Sequence, residues 1–420
     1  METTVAVQVF PRIRYIWISA YAFAHSALWN SVHPIVLPAL LLPLVPADQK
    51  NSYLGLLTFL GLVLAMVAQP VFGAASDGSR HAWGRRRPYM FAGVIFTVPL
   101  LATVGVVESF AMLVAVYLAL QVASNAIQGS YQAFIPDLVP PERRGLASGA
   151  KNLAEILGVI LATLLIGQMM DSYIKTGDRV WVWTVLALLG GTLVLGLTMT
   201  MFGVPEVRRL KALPGTLVER LLSGLRSYRR EQKQFAWFLL SRFLFILPIT
   251  AIQSFAFFYM QDGIGMENPA SATAQLVAII AVAILVLVYP AGLLSDRVGR
   301  KPIMIVAGLF GAVGAILLMF AASFVQVLAF GSLIGVSVGL YLSSSWAFAA
   351  DISSGEEPGK YLGLTNLATA GGAAMARVNG PVIDLFNGMN RGTGYVALFA
   401  ICALSFLAGT WTVTRLRAAR

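Results

Sequence analysis

Charged side chains are scarce. Asp, Glu, Lys and Arg make up 12% of the 420 residues, against about 25% in a soluble domain. That is too few to coat a water-facing surface of this size. The shortage excludes an ordinary soluble globule and leaves the apolar surplus, 58% of the chain with mean hydropathy +0.76, to face lipid. Cysteine occurs once, at Cys402 in the last apolar run, so neither an intrachain disulfide nor a cysteine metal cluster can form. No Ser/His/Asp or His-rich grouping stands out on one side of a membrane, so no enzyme, metal or cofactor is expected. The chain also lacks a Gly-rich loop ending in Lys-Ser/Thr, which argues against ATP-driven pumping. Its N-terminus shows no short apolar run with a small-residue cleavage site, so the first apolar segment is expected to stay as a membrane helix.

What is present is length without charge. A helix needs about 20 apolar residues to cross the hydrocarbon core. Twelve runs qualify: 14–43, 53–76, 89–107, 109–135, 146–170, 181–203, 235–261, 271–294, 303–323, 325–350, 361–386 and 393–414. Barrel strands would alternate over about ten residues, whereas these runs are continuous and longer. The expected fold is an all-α membrane protein with twelve transmembrane helices. Pro34, Pro38 and Pro43 should kink or unwind the outer end of the first span. Residues 204–234 interrupt the pattern with eight Lys/Arg, Pro205, Pro214 and an amphipathic stretch through Leu217, Leu221, Leu222, Leu225 and Tyr228. That stretch is expected to lie along the membrane surface. It divides the chain into a six-helix bundle (1–203), a cytoplasmic linker (204–234) and a second six-helix bundle (235–420).

The net charge is +11, and its distribution explains it. With the N-terminus inside, 24 of the 30 Lys/Arg fall in cytoplasmic segments or at their helix ends, as the positive-inside rule demands. Lys50, Lys175, Arg179 and Arg391 fall outside, and Arg242 and Arg377 lie within spans. Both termini are therefore expected in the cytoplasm, with the protein in the plasma (inner) membrane. The basic excess points to membrane lipid as a contact and not to nucleic acid.

The halves repeat. An offset of 214 carries Asp137 onto Asp351, Gly145 onto Gly359, Gly149 onto Gly363 and Gly158 onto Gly372, and the triplet Asn152-Leu153-Ala154 onto Asn366-Leu367-Ala368. Parallel six-helix repeats with a binding site near the midplane are a transporter architecture. Spans 3, 6, 9 and 12 carry almost nothing more polar than Ser or Thr and read as an outer wall, while polar residues concentrate in spans 1, 4, 5, 7, 10 and 11.

Two loops share a motif. After span 2 the chain reads Gly73-Ala-Ala-Ser-Asp77, then Gly84-Arg85-Arg86-Arg87-Pro88; after span 8 it reads Gly292-Leu-Leu-Ser-Asp296, then Gly299-Arg300-Lys301-Pro302. Both resemble the signature loop of the major facilitator superfamily, and the resemblance covers nearly the whole chain. It implies two pseudo-symmetric six-helix bundles that alternate access to a central site. It also implies that Asp77, Arg85, Arg86, Asp137, Asp296 and Arg300 act at a conformational gate. A solvated topology anchor is the plainer reading of the same charges. The spacing between Asp77 and Gly84, and the pattern Asn125-x-x-Gln128-Gly129 through Ala133 to Asp137-Leu138, resemble the sucrose transporters and, more loosely, the glycoside–cation symporters. Gln132 stands where sucrose carriers have an arginine, and span 2 lacks the acids that bind sodium in melibiose permease.

The lining can be read without the family. Gln121, Asn125, Gln128 and Gln132 follow i, i+4, i+7, i+11, one helical stripe. Amides cannot face lipid unpaired, so they face a cavity or serve as interhelical hydrogen-bond glue. Span 1 adds His25, Trp29, Asn30 and His33; span 7 adds Gln253; span 10 adds Trp346 beside Ser343, Ser344 and Ser345. Such amides and flat rings suit a hydroxyl-rich solute. Glu155 reads as the one acid deep in the spans, either a proton-coupling carboxyl, with His33 as a second proton carrier, or the partner of Lys151. Arg377 could bind an anionic group of the substrate or pair with an acid across the cavity. Arg242, nearer the inner border, could snorkel.

The expected function is proton-coupled transport of a small polar solute, a sugar or glycoside, by a monomer. Drug or metabolite efflux on the same fold, and a non-transporting assembly factor, are the alternatives. The charge asymmetry makes a direct prediction: tags at residue 215 and at the C-terminus should both be shielded in intact cells. Labelling of either from outside would overturn the topology.

Overall fold

The computed structural model describes residues 11–206, 233–352 and 358–416, with side chains described at these positions except 141, 350–352 and 358–363. The amphipathic stretch expected around 217–228 and the side chain of Asp351 lie outside the described residues. Helices form where the apolar runs stand. In the first half they are α1 Ile13–Ser31, α2 Leu37–Leu41, α3 Lys50–Gly78, α4 Arg87–Val104, α5 Phe110–Tyr131, α6 Phe134–Leu138, α7 Arg144–Thr176 and α8 Val180–Gly203. In the second half they are α9 Lys233–Phe258, α10 Pro269–Val298, α11 Arg300–Leu318, α12 Phe324–Ile352, α13 Pro358–Arg377, α14 Asn379–Met389 and α15 Thr393–Thr414.

Among the described residues, ten helical stretches are long and apolar enough to cross a membrane. The other two crossings are interrupted. In the first, a π turn over Val32–Val36 joins α1 to α2. Pro34 and Pro38 each lack an N–H and cannot complete an α-helical ladder, and the wider turn absorbs the mismatch. The span bends there and stays helical as far as Leu41; it does not unwind. In the other, α13 ends at Arg377 and α14 resumes at Asn379.

Packing follows the repeat. Within the first half, α1 lies on α7 and α8, and α5 on α3 and α4. Within the second, α9 lies on α13 and α15, α12 on α10 and α11, and α11 on α15. The halves meet where α7 packs on α10 and α3 packs on α13 and α14. Val306, Leu309, Val313 and Ile316 of α11 are exposed, as are Leu404, Leu407 and Trp411 of α15. These rows sit on spans expected to form an outer wall, and lipid is the solvent that can cover them.

Close helix approach rests on small residues. A Cβ at Gly158 of α7 would strike the carbonyl oxygen of Phe23 in α1, and one at Gly372 of α13 would strike that of Phe243 in α9. The two glycines are the pair related by the 214-residue offset, so one helix crossing has been built twice. Gly158→Val should therefore lower thermal stability by roughly 1–3 kcal/mol through overpacking. Gly145→Ala, where nothing lies within 4 Å, should leave it unchanged or slightly raised. Equal melting temperatures for the two variants in a thermal-shift assay would contradict this packing.

Candidate functional site

The loops after α3 and α10 and the starts of α1, α7 and α9 lie at one end of the bundle, here called the basic end. At the opposite end the halves are joined by polar contacts. Lys50 Nζ donates to Asp262 and to Gln261, each at 2.9 Å. Asp262 also accepts from the Tyr395 hydroxyl at 2.9 Å. Asp384 of α14 accepts from Asn51 Nδ2 at 2.8 Å and from the Ser52 backbone N–H and hydroxyl at 2.6 Å each. Asp171 of α7 accepts from the backbone N–H groups of Ala270 and Ser271, each at 2.9 Å. Two carboxylates thus cap the N-termini of α3 and α10 across the divide, where unpaired N–H groups and the helix dipole favour negative charge. The hydrogen bonds and ion pairs that join described residues of opposite halves all lie in this half of the bundle. The inner-half faces of α7 and α13, with Ser148, Gly149, Asn152 and Asn366, are exposed. The interface between the halves carries no hydrogen bond or ion pair between described residues at the basic end.

Its first-half wall is a connected polar network. Trp29 Nε1 donates to Ser124 Oγ at 2.9 Å. His33 Nε2 lies 2.9 Å from the Tyr117 hydroxyl, which also accepts from Gln121 Nε2 at 2.8 Å. Asn125 Nδ2 donates to the Gln121 carbonyl at 2.8 Å and to its side-chain oxygen at 3.2 Å. The rings of Trp29 and His33 are 4.8 Å apart. Down the amide stripe, Gln121 and Asn125 are buried, Gln128 is half-buried and Gln132 is exposed, so access grows toward the basic end. Gln128 Oε1 is buried without a partner. Asn30 and Gln253, from opposite halves, share a hydrogen bond of 3.2 Å. His25 stands apart from this group, with its Nδ1 3.1 Å from the Tyr21 hydroxyl.

The second-half wall holds two arginines. Arg242, expected to snorkel, is instead fully buried. Its Nε donates to Thr369 Oγ1 at 2.6 Å and its Nη1 to Ser345 Oγ at 3.0 Å. Its guanidinium lies 4.3 Å over the ring of Trp346, a cation–π contact that holds the charge inward. Arg377 is also buried, at 6% exposure. Its Nη1 donates to the Ala373 carbonyl, its Nε has no partner, and His33 and Tyr117 of the other half lie within range of its charge.

Glu155, read as the one acid deep in the spans, is part-exposed and pairs with Lys151 at 2.7 Å; Asp171, near the outer end of the same helix, is buried at 5% exposure. Between described residues, the gate side chains pair within their own half. Arg86 is buried at the centre of a knot within the first half, bonded to Asp77 at 2.5 Å, to Asp137 at 3.0 Å and to Ser76 Oγ at 2.8 Å. Arg85 also pairs with Asp137, and Glu206 accepts from the Arg86 backbone N–H. In the second half Arg300 pairs with Asp296 one turn away.

Sequence reasoning passed over Asp171, Asp384, Lys50, Tyr117 and Ser124. A signal existed for the carboxylates. The 214-residue offset carries Asp171 to within one residue of Asp384, and the 219-residue offset relating Asp77 to Asp296 carries Ser52 onto Ser271. Both halves of each cap are thus repeat-related.

Comparison with known proteins places the chain. The profile of the Major Facilitator Superfamily matches residues 20–377. Solute carrier family 45 member 4 of Homo sapiens is 25% identical over 187 residues, 39% of this chain and 24% of that protein. The minor myo-inositol transporter IolF of Bacillus subtilis (strain 168) is 32% identical over 84 residues, 20% of this chain and 19% of that one. These curated relatives are matched over about a quarter of their length or less. The crystal structure of a D-xylose–proton symporter superposes with a TM-score of 0.70 at 16% identity, over 95% of this chain and 97% of that one, which shows a shared fold.

The Arg86 knot generates a prediction. Arg86→Met should cost roughly 1–3 kcal/mol, the scale of losing hydrogen bonds to charged groups. Adding Asp137→Asn should recover part of that loss, because one uncompensated carboxylate is removed. Strictly additive losses in a double-mutant cycle would show that the two side chains do not act as a unit.

Proposed function

The chain belongs to the major facilitator superfamily, and from that premise we propose that it imports a small hydroxyl-rich solute, a sugar or glycoside, by proton-coupled alternating access. The observation that carries the reading is that hydrogen bonds and ion pairs join the halves at one end, while between described residues none joins them at the other, where we read an open cleft walled by amides and a tryptophan. Amides donate and accept without imposing charge, and the ring of Trp29 can lie against the apolar face of a sugar. The partial likeness to a myo-inositol transporter supports a polyol-like cargo. With the basic end facing the cytoplasm, this conformation is inward-open. Transport then requires the Asp171 and Asp384 caps and the Lys50–Asp262 pair to break as the basic end closes. Each cap contributes on the order of 0.3–2 kcal/mol, within reach of the few kcal/mol that separate two conformations of a switching protein.

The Asp77–Arg86–Asp137 knot keeps the first half rigid while it rocks, and Asp296 with Arg300 does so more locally in the second. Glu155, part-exposed and one turn from Lys151, is the carboxyl we assign to coupling, with His33 as the alternative. Glu155→Gln retains shape but cannot exchange a proton. In proteoliposomes it should keep solute exchange across the membrane and lose accumulation driven by a pH gradient. Accumulation that survives the substitution would remove Glu155 from the mechanism and turn attention to His33. If Glu155 serves only to neutralise Lys151, Lys151→Met combined with Glu155→Gln would restore both stability and uphill uptake.

A further inference from the structure

The second half buries two cations, Arg242 and Arg377, that no acid among the described residues pairs with. Among the described residues, the acids within the spans are already engaged: Asp171 and Asp384 hold helix N-termini, Asp262 holds Lys50, and Glu155 holds Lys151. Arg242 has hydroxyls and a tryptophan ring; Arg377 has one backbone carbonyl. Ionisable residues within membrane spans face a cavity or a partner because an uncompensated charge there is expensive.

A structural role explains only part of Arg377. It stands in the last turn of α13, where a cation suits the helix dipole, and its bond to Ala373 serves that end. This leaves the buried Nε–H unsatisfied, and native proteins seldom strand a charged donor. It also leaves the charge directed at the other half, within range of His33 and Tyr117. Arg242 stands at the level of Thr369, eight residues earlier on α13, about 12 Å nearer the basic end at 1.5 Å per residue. One small group cannot touch both arginines. On a solute path between the halves they would be two stations, with the amide stripe of α5 on the other side.

We propose that the solute bears a carboxylate on its hydroxyl-rich body, and that Arg377 receives this carboxylate at the closed end of the cleft while Arg242 draws the anion in from the open end. This rests on reading the inter-half cleft as the solute path. Arg377 can offer Nε–H and a neighbouring N–H side by side, the fork that matches a carboxylate. The Gln121 and Asn125 amides, with Trp29, then meet the hydroxyl-bearing remainder. A single guanidinium at the closed end suits a monoanion, so sugar acids of the uronate or aldonate class fit.

The test is uptake into proteoliposomes of radiolabelled D-glucuronate, D-gluconate, D-glucose and L-lactate, by wild type, Arg377→Gln, Arg377→Lys and Arg242→Gln. Glucuronate or gluconate should enter at least tenfold faster than glucose. Arg377→Gln should reduce that uptake at least tenfold, Arg377→Lys should retain part of it, and Arg242→Gln should raise the half-saturating concentration. Glucose carried in preference to the sugar acids would overturn the inference and leave the sugar reading standing. Lactate carried as well as glucuronate would uphold the anion and overturn the sugar. If no carboxylate is carried, or if Arg377→Gln takes up glucuronate like wild type, the assignment fails. Should Arg377→Gln not fold, thermal shift of wild type and Arg377→Lys with glucuronate against glucose decides: equal shifts for the acid and the neutral sugar would overturn the inference.

Discussion

Two carboxylates reach across the molecule to the ends of helices they do not belong to. Asp171, on α7, holds the first N–H groups of α10; Asp384, on α14, holds the start of α3. Everything else about this conformation follows from that closure. An exposed helix N-terminus presents several N–H groups with no partner in the helix, and a carboxylate satisfies two of them while also meeting the positive end of the dipole. The contact needs no arginine or lysine. It also needs close backbones: Gly55 lies against the carbonyl oxygen of Arg377 and Gly380 against that of Asn51, and a side chain at either would hold the halves apart. With this end drawn shut, the amide stripe of α5 becomes progressively exposed toward the other.

The two caps are one design used twice. Their acids and their receiving helices are related by the internal repeat, so the closed end has an approximate two-fold character, with Lys50 and Asp262 as the element that breaks it. The basic end differs between the halves. The first half has a buried arginine hub joining two acids from separate helices, and the second a short-range pair on adjoining turns. Charge is therefore used in two ways: inside a half to stiffen it, and between halves only where a contact can be released.

Much of this was legible in the sequence, for identifiable reasons. Span positions follow from run length, since lipid accepts only a continuous internally bonded segment, and the helices fall where the runs stand. The amide stripe of α5 follows from helical periodicity, whereas Ser124 and Tyr117, which tie α5 to Trp29 and His33, do not. The role of a lone charge did not follow. Arg242 lies nine residues into α9, shallow enough to suggest snorkelling. What holds it inside is Thr369, Ser345 and Trp346, contributed by two other helices. Asp171 falls at the edge of its apolar run and drew no reading from the sequence. Its burial is created by the second half closing over it, a fact of tertiary contact that one helix cannot announce.

The partition of charge also explains how a gate and a binding site can share so few ionisable groups. If arginines clamped the closed end, they would compete with any anion entering the cleft, and binding would tend to stay coupled to a rigid lock. Here backbone N–H groups do the clamping on behalf of α3 and α10, and the acids that meet them form no ion pair with Arg242 or Arg377 among the described residues. Arg242 and Arg377 keep their positive field in a wall otherwise made of neutral donors and acceptors. That field acts at low dielectric, where a single charge has a long reach, while the amides supply orientation at short range. On the path proposed here, an anion entering from the basic end would meet Arg242 first and Arg377 beneath the caps. It would then lie next to the segment around Asn379 that links α13 to α14, and α14 carries Asp384. The proposed binding site and the contacts that hold the far end shut would thus be neighbours along one broken helix, and the break at Val378 is where motion of one could be passed to the other.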